Sequence, residues 1–183
     1  RPGMNPLRLA RRAWLRLSGE AARPPGIRVG TGVSVTDWTR LDWSHGRHIT
    51  LADGAVLAPG VRILCHDASS NRRVGATWVA PVCIGERAFI GAEAVILPGV
   101  EVGADAIVAA GAVVTDSVPS GVIVAGVPAR PVGTVADLDA RRREQLGRCP
   151  SFPGTEYVRE HLPPDRAREL DQAIATHGGY FLT

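Results

Sequence analysis

The sequence predicts an all-β solenoid, in which a coil of short parallel strands is flanked by helical segments. The first observation is an unbroken series of six hexads that runs from Ile84 to Pro119. Each hexad begins with an aliphatic residue and has a small or aliphatic residue at its fifth place, so both places point inward from short strands. The second observation is the period, because six residues are too few for a helical repeat but suit one flat side of a β-helix. The hexads open at Ile84, Ile90, Ile96, Val102, Val108 and Val114.

The composition agrees with this fold and limits the function. Of the 183 residues, 45% are hydrophobic but only 5% are aromatic, which suits a narrow core of Val, Ile, Leu and Ala. The formal net charge is +3, all cationic side chains are arginines apart from histidine, and we expect no nucleic-acid partner. Cys65, Cys83 and Cys149 show no CxxC spacing, so we expect a reducing, cytoplasmic location and no metal. We identify no membrane span or secretory signal in the sequence.

Residues 1–26 are predicted to form a helical cap. Leu7, Ala10, Trp14 and Leu17 recur at the spacing of one helix face, and arginines occupy other positions. A basic amphipathic helix can lie on an anionic membrane surface. It can also cover the exposed core and strand edges at the open end of a β-helix, and we favour this second role.

The coil is predicted to span residues 27–132, with two interruptions of its six-residue phase. The spacing from Leu41 to Leu51 is four residues longer than one hexad, and the spacing from Ile63 to Ile84 is three residues longer than three hexads. We therefore expect the chain to bulge from the coil at both places. The looser hexads that precede the regular series open at Val29, Val35, Leu41, Leu51, Leu57 and Ile63.

The second interruption is the predicted active-site loop, near residues 66–80. Polar groups crowded onto an excursion from a rigid scaffold are typical of binding or catalytic sites. The polar and aromatic residues of this loop are His66, Asp67, Ser69, Ser70, Asn71, Arg72, Arg73, Thr77 and Trp78.

Residues 133–183 are predicted to be a helical extension. One helix is expected from Val135 to Leu146, with the run Arg141–Arg143 on a solvated face. Another is expected from Pro164 to His177, where Gly178 ends it. Between them, residues 149–154 contain two prolines and are predicted to be a linker.

The stretch PVCIGERAFIGAEAVILPGVEVGADAIVAAGAVVTDSVPSGVIVAGVPAR, residues 81–130, resembles the C-terminal coils of the hexapeptide-repeat acyltransferases. It is most similar to the branch with galactoside, maltose and exopolysaccharide O-acetyltransferases, most specifically in IGAEAVILPGV, AAGAVVTDSVP and AGVPAR. The resemblance implies a left-handed parallel β-helix and a homotrimer with active sites between subunits. The hexads also favour association, because their outward sixth places include Phe89, Val95, Ile107 and Val113.

The resemblance implies that acetyl-CoA is the co-substrate and that His66 is the general base. A sugar hydroxyl is a poor nucleophile at neutral pH, so an imidazole must take its proton while the oxygen attacks the thioester. Direct transfer of this kind needs no covalent enzyme intermediate. Asp67 is adjacent in sequence, but neighbouring side chains on an extended strand point apart, so another group can orient His66.

The resemblance also implies the cofactor-binding residues. The backbone N–H of Ala92 is expected to stabilise the oxyanion. Arg130 suits a phosphate because its guanidinium is charged and planar. Asp116 stands where many relatives have a lysine, and a carboxylate there repels phosphate. The implied cofactor-binding residues are Gly91, Ala92, Ala110, Gly111, Thr115 and Arg130.

The acceptor is expected to be a saccharide or a glycosylated small molecule. Relatives carry a polar residue on an earlier coil, and Asp37 is the first candidate here, with Asp42 the second. Trp38 and Trp43 are candidates either for stacking on a sugar ring or for filling a subunit interface.

Two alternatives keep the coil but change the function. An amino-sugar N-acyltransferase would use the same cofactor with an amine as nucleophile. A metal-binding protein of the carbonic-anhydrase type, or a scaffold, would lack acyl transfer and would require histidines that converge between subunits. The histidines available near the two interruptions are His45, His48 and His66.

Overall fold

A computed structural model of the chain describes residues 23–148, apart from the side chain of Thr39. It also describes residues 168, 171–172 and 174–175 and the backbone of 151–153 and 180–182. The predicted helix within residues 1–26 lies outside the described residues. The chain forms two compact units that divide between residues 135 and 136.

Most strands of the first unit form three sheets of parallel strands, which we call the first, second and third faces. The first face contains β1 (Arg28–Val29), β3 (Ile49–Leu51), β8 (Val82–Ile84) and β11 (Glu101–Val102). The second face contains β2 (Ser34–Val35), β4 (Val56–Leu57), β9 (Phe89–Ile90), β12 (Ile107–Val108) and β14 (Val122–Ala125). The third face contains β5 (Arg62–Ile63), β10 (Val95–Ile96) and β13 (Val113–Val114).

The chain visits the three faces in turn, and each circuit is one coil. In the regular series a strand pairs with the strand three hexads later, as Phe89 does with Ile107 and Val95 with Val113. The predicted parallel coil is therefore confirmed for the described residues.

The first and fifth hexad places form the core of the coil, as predicted. They point inward because side chains alternate along a strand, and no charged side chain is buried among them. In the regular series these residues are at most 4% exposed: Ile84, Ala88, Ile90, Ala94, Ile96, Val100, Val102, Ala106, Val108, Ala112, Val114 and Val118.

The corners of the coil need small residues where successive coils touch. A Cβ on Gly91 would lie 2.5 Å from the backbone nitrogen of Ala110 in the next coil, so only glycine fits there. At the fourth hexad place the backbone turns in the left-handed region, and Gly111 has a φ of +69°. Glu93 adopts a φ of 58° at the equivalent place, so this turn does not always contain glycine.

The corner between the third and first faces contains both interruptions of the phase, and we call it the insertion corner. It consists of residues 42–48, 64–81, 97–100 and 115–117. We call the corner between the second and third faces the compact corner, because it is short in every coil. It consists of residues 36–40, 58–61, 91–94 and 109–112.

The two insertions have different local structures. The first ends in a 3-10 turn, Gly46–His48. The second, which we call the arm (residues 66–80), begins and ends with the antiparallel pair β6 (His66–Asp67) and β7 (Trp78–Val79). A short helix, Asn71–Val74, lies between these strands and ends at Gly75, whose φ is 71°.

The carboxyl end of the coil extends slightly beyond the predicted boundary at residue 132. Strand β15 (Arg130–Thr134) pairs antiparallel with β14, so residue 132 lies inside a strand. The helix that follows spans Val135–Leu146, as predicted, and its three consecutive arginines at 141–143 are exposed.

The second unit contains a strand pair that the sequence did not predict. Strand β16 (Ser151–Pro153) pairs in parallel with β17 (Tyr180–Leu182), so the prediction of a linker is wrong for residues 151–153. The pairing joins segments far apart in sequence, which local proline signals do not reveal. The described residues 168, 171–172 and 174–175 are helical and lie within the second predicted helix.

Candidate active site

The insertion corner brings His66 against a buried carboxylate. The Nδ1 atom of His66 lies 2.5 Å from Oδ2 of Asp42, which stands in the preceding coil. Leu41 and Ile63 form a parallel β-bridge on the third face. The segments that follow these two residues therefore leave the third face next to each other. The side chain of Asp42 is 2% exposed, whereas that of His66 is 37% exposed. The imidazole of His66 is therefore held by Asp42 at Nδ1, and the rest of the ring is accessible to solvent.

Backbone amides fix the Asp42 carboxylate. Ser44 and His45 donate their N–H groups to Oδ1 at 3.1 and 3.2 Å, and Cys65 donates its N–H to Oδ2 at 3.0 Å. Burial acts to raise the pKa of Asp42, but the hydrogen bonds from His66 and Cys65 outweigh it and hold this pKa below its ordinary value. Asp42 is therefore a carboxylate at neutral pH and accepts the Nδ1 proton of His66. The unprotonated atom of a neutral His66 ring is then Nε2.

His45 also approaches the same carboxylate. Its Nδ1 lies 3.4 Å from Oδ1 of Asp42, and its ring centroid is 4.8 Å from that of His66. The ring of His48 is stacked on His45 with centroids 6.2 Å apart. Two of the three histidines considered for a metal site thus converge within one chain, together with Asp42.

The arm places exposed groups beside His66. Trp78 pairs with Asp67 across the two strands and is 64% exposed. Asp67 accepts the N–H of Ser69 at 2.8 Å, and this hydrogen bond lowers the pKa of Asp67. Asp67 therefore serves the turn of the arm, while Asp42 is the partner of His66.

Four of the six residues expected to bind acetyl-CoA lie on the compact corner. Gly91 and Ala92 belong to one coil, and Ala110 and Gly111 belong to the next. Among the described residues the backbone N–H of Ala92 donates to no acceptor, and the same holds for Glu86, at the same hexad place. An unbonded amide at this hexad place is thus not unique to Ala92, although Thr31 at the equivalent place donates its N–H to Asp53. Close stacking of the coils explains the glycine at position 91, whereas a Cβ at Gly111 would meet no atom within 4 Å.

Within one chain, His66 and Ala92 do not lie on the same corner. His66 follows the third face, whereas Ala92 precedes it. A site that uses both residues on one substrate therefore needs the insertion corner of one copy and the compact corner of another.

The end of the coil holds Thr115, Asp116 and Arg130. The hydroxyl of Thr115 donates to Oδ2 of Asp116 at 2.7 Å, and Nη1 of Arg130 donates to the same oxygen at 3.4 Å. A pocket of about 230 Å³ lies here, with Asp116, Val124, Ala129 and Arg130 among its lining residues. Asp116 thus engages Thr115 and Arg130, two of the implied cofactor-binding residues.

The structure buries two of the acceptor candidates, Asp42 and Trp38, and leaves Asp37 part-exposed. Asp42 is not available as an outward hydroxyl-binding group, because its buried oxygens accept the hydrogen bonds at His66. Trp38 is 8% exposed in the core, and the guanidinium of Arg23 lies 4.8 Å from its ring centroid, so its ring is not an open stacking surface. Asp37 is part-exposed on the compact corner and pairs with Arg40 at 3.3 Å.

The role of Asp42 was missed, although the sequence contained a signal for it. Three hexads make one coil, so Leu41 and Ile63 end successive circuits of the third face. Counting hexads in threes would have placed both interruptions on one corner. The same count would have placed the segment LDWSH next to the segment ILCH.

Parts of the coil are similar to known proteins. Residues 81–116 match the model of the hexapeptide repeat of succinyl-transferase. A 2,3,4,5-tetrahydropyridine-2,6-dicarboxylate N-acetyltransferase of Staphylococcus aureus is 40% identical over 99 residues, which are 54% of this chain and 36% of that protein. The chain thus spans about a third of the length of this curated relative.

Two solved structures are similar to the coil. A hexapeptide-repeat acetyltransferase from Vibrio cholerae, complexed with acetyl coenzyme A, has a TM-score of 0.53 at 29% identity, over 60% of this chain and 61% of that one. A galactoside acetyltransferase in complex with coenzyme A has a TM-score of 0.50 at 28% identity, over 63% and 58%.

These similarities identify the class of the coil. The resemblance found in the sequence is confirmed: residues 81–116 match hexapeptide repeats, and solved structures similar to the coil include hexapeptide-repeat acetyltransferases. In the part of the chain that the structure describes, no helix is both long and apolar enough to cross a membrane.

Proposed function

We propose that this chain is an acetyl-CoA-dependent O-acetyltransferase that acts on a hydroxyl of a saccharide or a glycosylated small molecule. The observation that carries the proposal is the Asp42–His66 pair at 2.5 Å, on a coil similar to acetyltransferases solved with acetyl-CoA and CoA. A half-exposed imidazole with a buried carboxylate at one nitrogen is what a general base requires.

The proton transfer follows from the geometry of this pair. Nε2 of His66 takes the proton of the acceptor hydroxyl while the oxygen attacks the thioester carbonyl. Asp42 stabilises the imidazolium and keeps the Nδ1 proton in place. When the tetrahedral intermediate collapses, the carbon–sulfur bond breaks and Nε2 returns its proton to the departing thiolate. The products are an acetyl ester and CoA, and no covalent bond to the protein forms.

The oxyanion and the pantetheine arm are assigned to the compact corner of a neighbouring copy. We infer that the coil is left-handed and that the chain is a homotrimer with three sites between subunits. Phe89 and Ile107 form an outward apolar pair on the second face, and Val95 and Val113 form another on the third face. Phe89 is 42% exposed in the single chain, and burial between copies would remove this apolar surface from water.

The oligomer has its own test. Phe89→Glu should shift the sedimentation of the protein from a trimer towards smaller species, because it places charges in an apolar interface. Thr50→Glu, at an outward position on the first face, is the matched control and should leave the trimer intact. A wild-type protein that sediments as a stable monomer would contradict the shared site.

The activity is tested by following CoA release from acetyl-CoA with a panel of acceptors. Hydroxyl acceptors should support release and gain the mass of one acetyl group, whereas His66→Ala should lower both signals by roughly 10²–10⁴-fold. Acetyl-CoA binding by His66→Ala, measured separately, distinguishes loss of the base from loss of the site. Wild-type turnover at the rate of the variant on every acceptor would contradict the proposal.

An amino group is the second candidate nucleophile. The Staphylococcus aureus relative is named as an N-acetyltransferase and is 40% identical over the matched residues, which favours this alternative. Matched sugars that differ only by hydroxyl or amine at one carbon decide between the two. A kcat/KM at least about tenfold higher for the amine, equal to about 1.4 kcal/mol in the barrier, would favour N-acetylation.

A further inference from the structure

A cluster of metal-ligating side chains lies in the described part of the insertion corner. Asp42, His45 and His66 each offer one ligand atom, and these atoms lie within 4.8 Å of one another. The residues come from two successive coils, so the cluster exists only because both insertions fall on the same corner.

The donor atoms suit a divalent transition metal. Two imidazole nitrogens and a carboxylate oxygen are ligands that zinc and its neighbours accept. Bonds of roughly 2.0–2.2 Å place neighbouring ligands of a tetrahedral ion about 3.3–3.6 Å apart. His45 Nδ1 lies 3.4 Å from Oδ1 of Asp42, which is within this range, while His66 Nδ1 faces the other carboxylate oxygen, Oδ2. The His66–Asp42 contact of 2.5 Å would have to lengthen by about 1 Å to admit the ion.

The surroundings of the carboxylate support such a site. Three backbone amides hold Asp42 in place without using the imidazoles: those of Ser44, His45 and Cys65. Ligating carboxylates in proteins are commonly fixed by hydrogen bonds of this kind. His45 lies in the loop of the first insertion, outside the sheets, and its side chain is 24% exposed, so an ion can reach it from solvent.

We propose that Asp42, His45 and His66 form a reversible binding site for a zinc-like divalent metal, and that an ion in this site blocks acyl transfer. The binding site stands on the geometry alone, whereas the block rests on the proposed function of His66. The proposal differs from a site shared between subunits, because all three ligands belong to one chain.

Proton placement explains the block. In the metal-free protein His66 carries its proton on Nδ1 and leaves Nε2 free to act as the base. An ion bound at Nδ1 takes the lone pair of that nitrogen, so the neutral ring must release the Nδ1 proton to water and take up a proton from water on Nε2. No net proton is gained or lost by this tautomer change, but Nε2 can no longer accept one from the acceptor.

Binding is tested first, without substrates. The chelator-treated full chain is titrated with Co²⁺, followed by its visible absorption, and with Zn²⁺, followed by calorimetry. We expect one ion per chain in the wild type and at least about tenfold weaker binding in His45→Gln. His48→Gln makes the same change in the same insertion but outside the cluster, and its affinity should equal that of the wild type.

Two results would overturn the site. One is equal affinity in wild type and His45→Gln, which would assign the ion to other groups. The other is no stoichiometric binding by a wild type that is folded by circular dichroism. If His45→Gln is not folded, the metal affinity of His45→Asn replaces it in this comparison. The number of ions bound by the wild type then remains the second criterion for the site.

The block is tested separately, with each protein compared to its own metal-free rate. Zinc should inhibit wild type and His48→Gln at the concentration at which it binds, and inhibition of His45→Gln should need at least about tenfold more. Zinc that binds to the cluster without slowing acyl transfer would overturn the block. A metal-free protein that transfers no acetyl group would contradict the proposed function instead. The metal titrations would still show whether the metal-binding site exists.

Discussion

The insertion corner and the compact corner are built on the same hexads but offer different chemistry. At the compact corner successive coils touch so closely that a Cβ on Gly91 would meet the backbone of Ala110. At the insertion corner the phase breaks twice, and the extra residues hold a buried carboxylate against His66. The regular corner offers backbone amides, and the irregular corner offers titratable side chains.

The difference shows why a repeat alone cannot be a complete site. Close stacking leaves no room for a side chain between coils, so a base and its partner need additional residues. Conversely, a long insertion cannot provide a row of amides in regular register. The proposed reaction uses both kinds of surface, and the structure places them on different corners of one chain.

The largest expected effect is at the insertion corner. His66→Ala should lower kcat by roughly 10²–10⁴-fold, because the acceptor hydroxyl loses its base. CoA release at saturating substrate measures this. The matched control is Asp67→Asn in the same strand, which should change kcat much less, since Asp67 serves the turn of the arm. Near-normal turnover by His66→Ala would contradict a catalytic role for the insertion corner.

Asp42→Asn should have the next largest effect. We expect kcat to fall about 10²-fold, because an amide can stabilise neither the imidazolium nor the Nδ1 tautomer as a carboxylate does. Steady-state kinetics of chelator-treated protein measures this. A purely structural role would change the stability of the protein but leave kcat per folded molecule unchanged.

The same variant has a pH signature in stability. The pKa of Asp42 is lowered in the folded protein from a reference value of 3.8, so its stabilising contribution is complete above that value. It is lost as the pH falls through the lower folded-state pKa. Urea unfolding of metal-free wild type and Asp42→Asn should therefore differ most near neutral pH and converge in acid. A difference independent of pH would contradict the ionised carboxylate.

A substitution at the compact corner should act on stability. Gly91→Ala should lower the free energy of unfolding by roughly 1–3 kcal/mol, because its Cβ must push the next coil away. Gly111→Ala, on the same corner, meets no atom within 4 Å and only strains a φ of +69°, at about 1 kcal/mol. Denaturant unfolding compares them. The reverse order would show that stacking does not constrain this corner.

The smallest expected effect is at the end of the coil. Arg130→Ala should raise the KM for acetyl-CoA about three- to tenfold, with less effect on an acetyl-pantetheine thioester, because the guanidinium suits phosphate. Asp116→Asn should lower the KM for acetyl-CoA, because it frees Arg130 from its ion pair. It also removes a negative charge that would repel the phosphates of the cofactor. Equal effects of Arg130→Ala on both donors would place this residue away from the nucleotide.

Much of the fold was predictable because it is periodic. The core was predicted from the first-place residues of the hexads, from Ile84 to Val114, and from the fifth-place residues of the same hexads. The helix Val135–Leu146 was predicted from its local pattern. Strands β16 and β17 were not predictable, because their pairing is decided between distant segments with no repeat to connect them.

The candidate site was predictable only in part. His66 stood out because it follows a break in the phase, and the structure gives it a partner suited to catalysis. Asp42 was expected to face an acceptor and Trp38 was considered for stacking, but both are buried. Burial depends on what the next coil covers, and a single hexad does not contain that information.

The sequence by itself determined the coil, its core and the two places where the coil is interrupted, because a six-residue period restricts which side chains face inward. Only the tertiary structure decided that both interruptions share one corner and that His45, Asp42 and His66 meet there. The reason is physical: neighbours within a hexad are set by the chain, whereas neighbours between coils are set by stacking. The paired side chains of the candidate site come from successive coils.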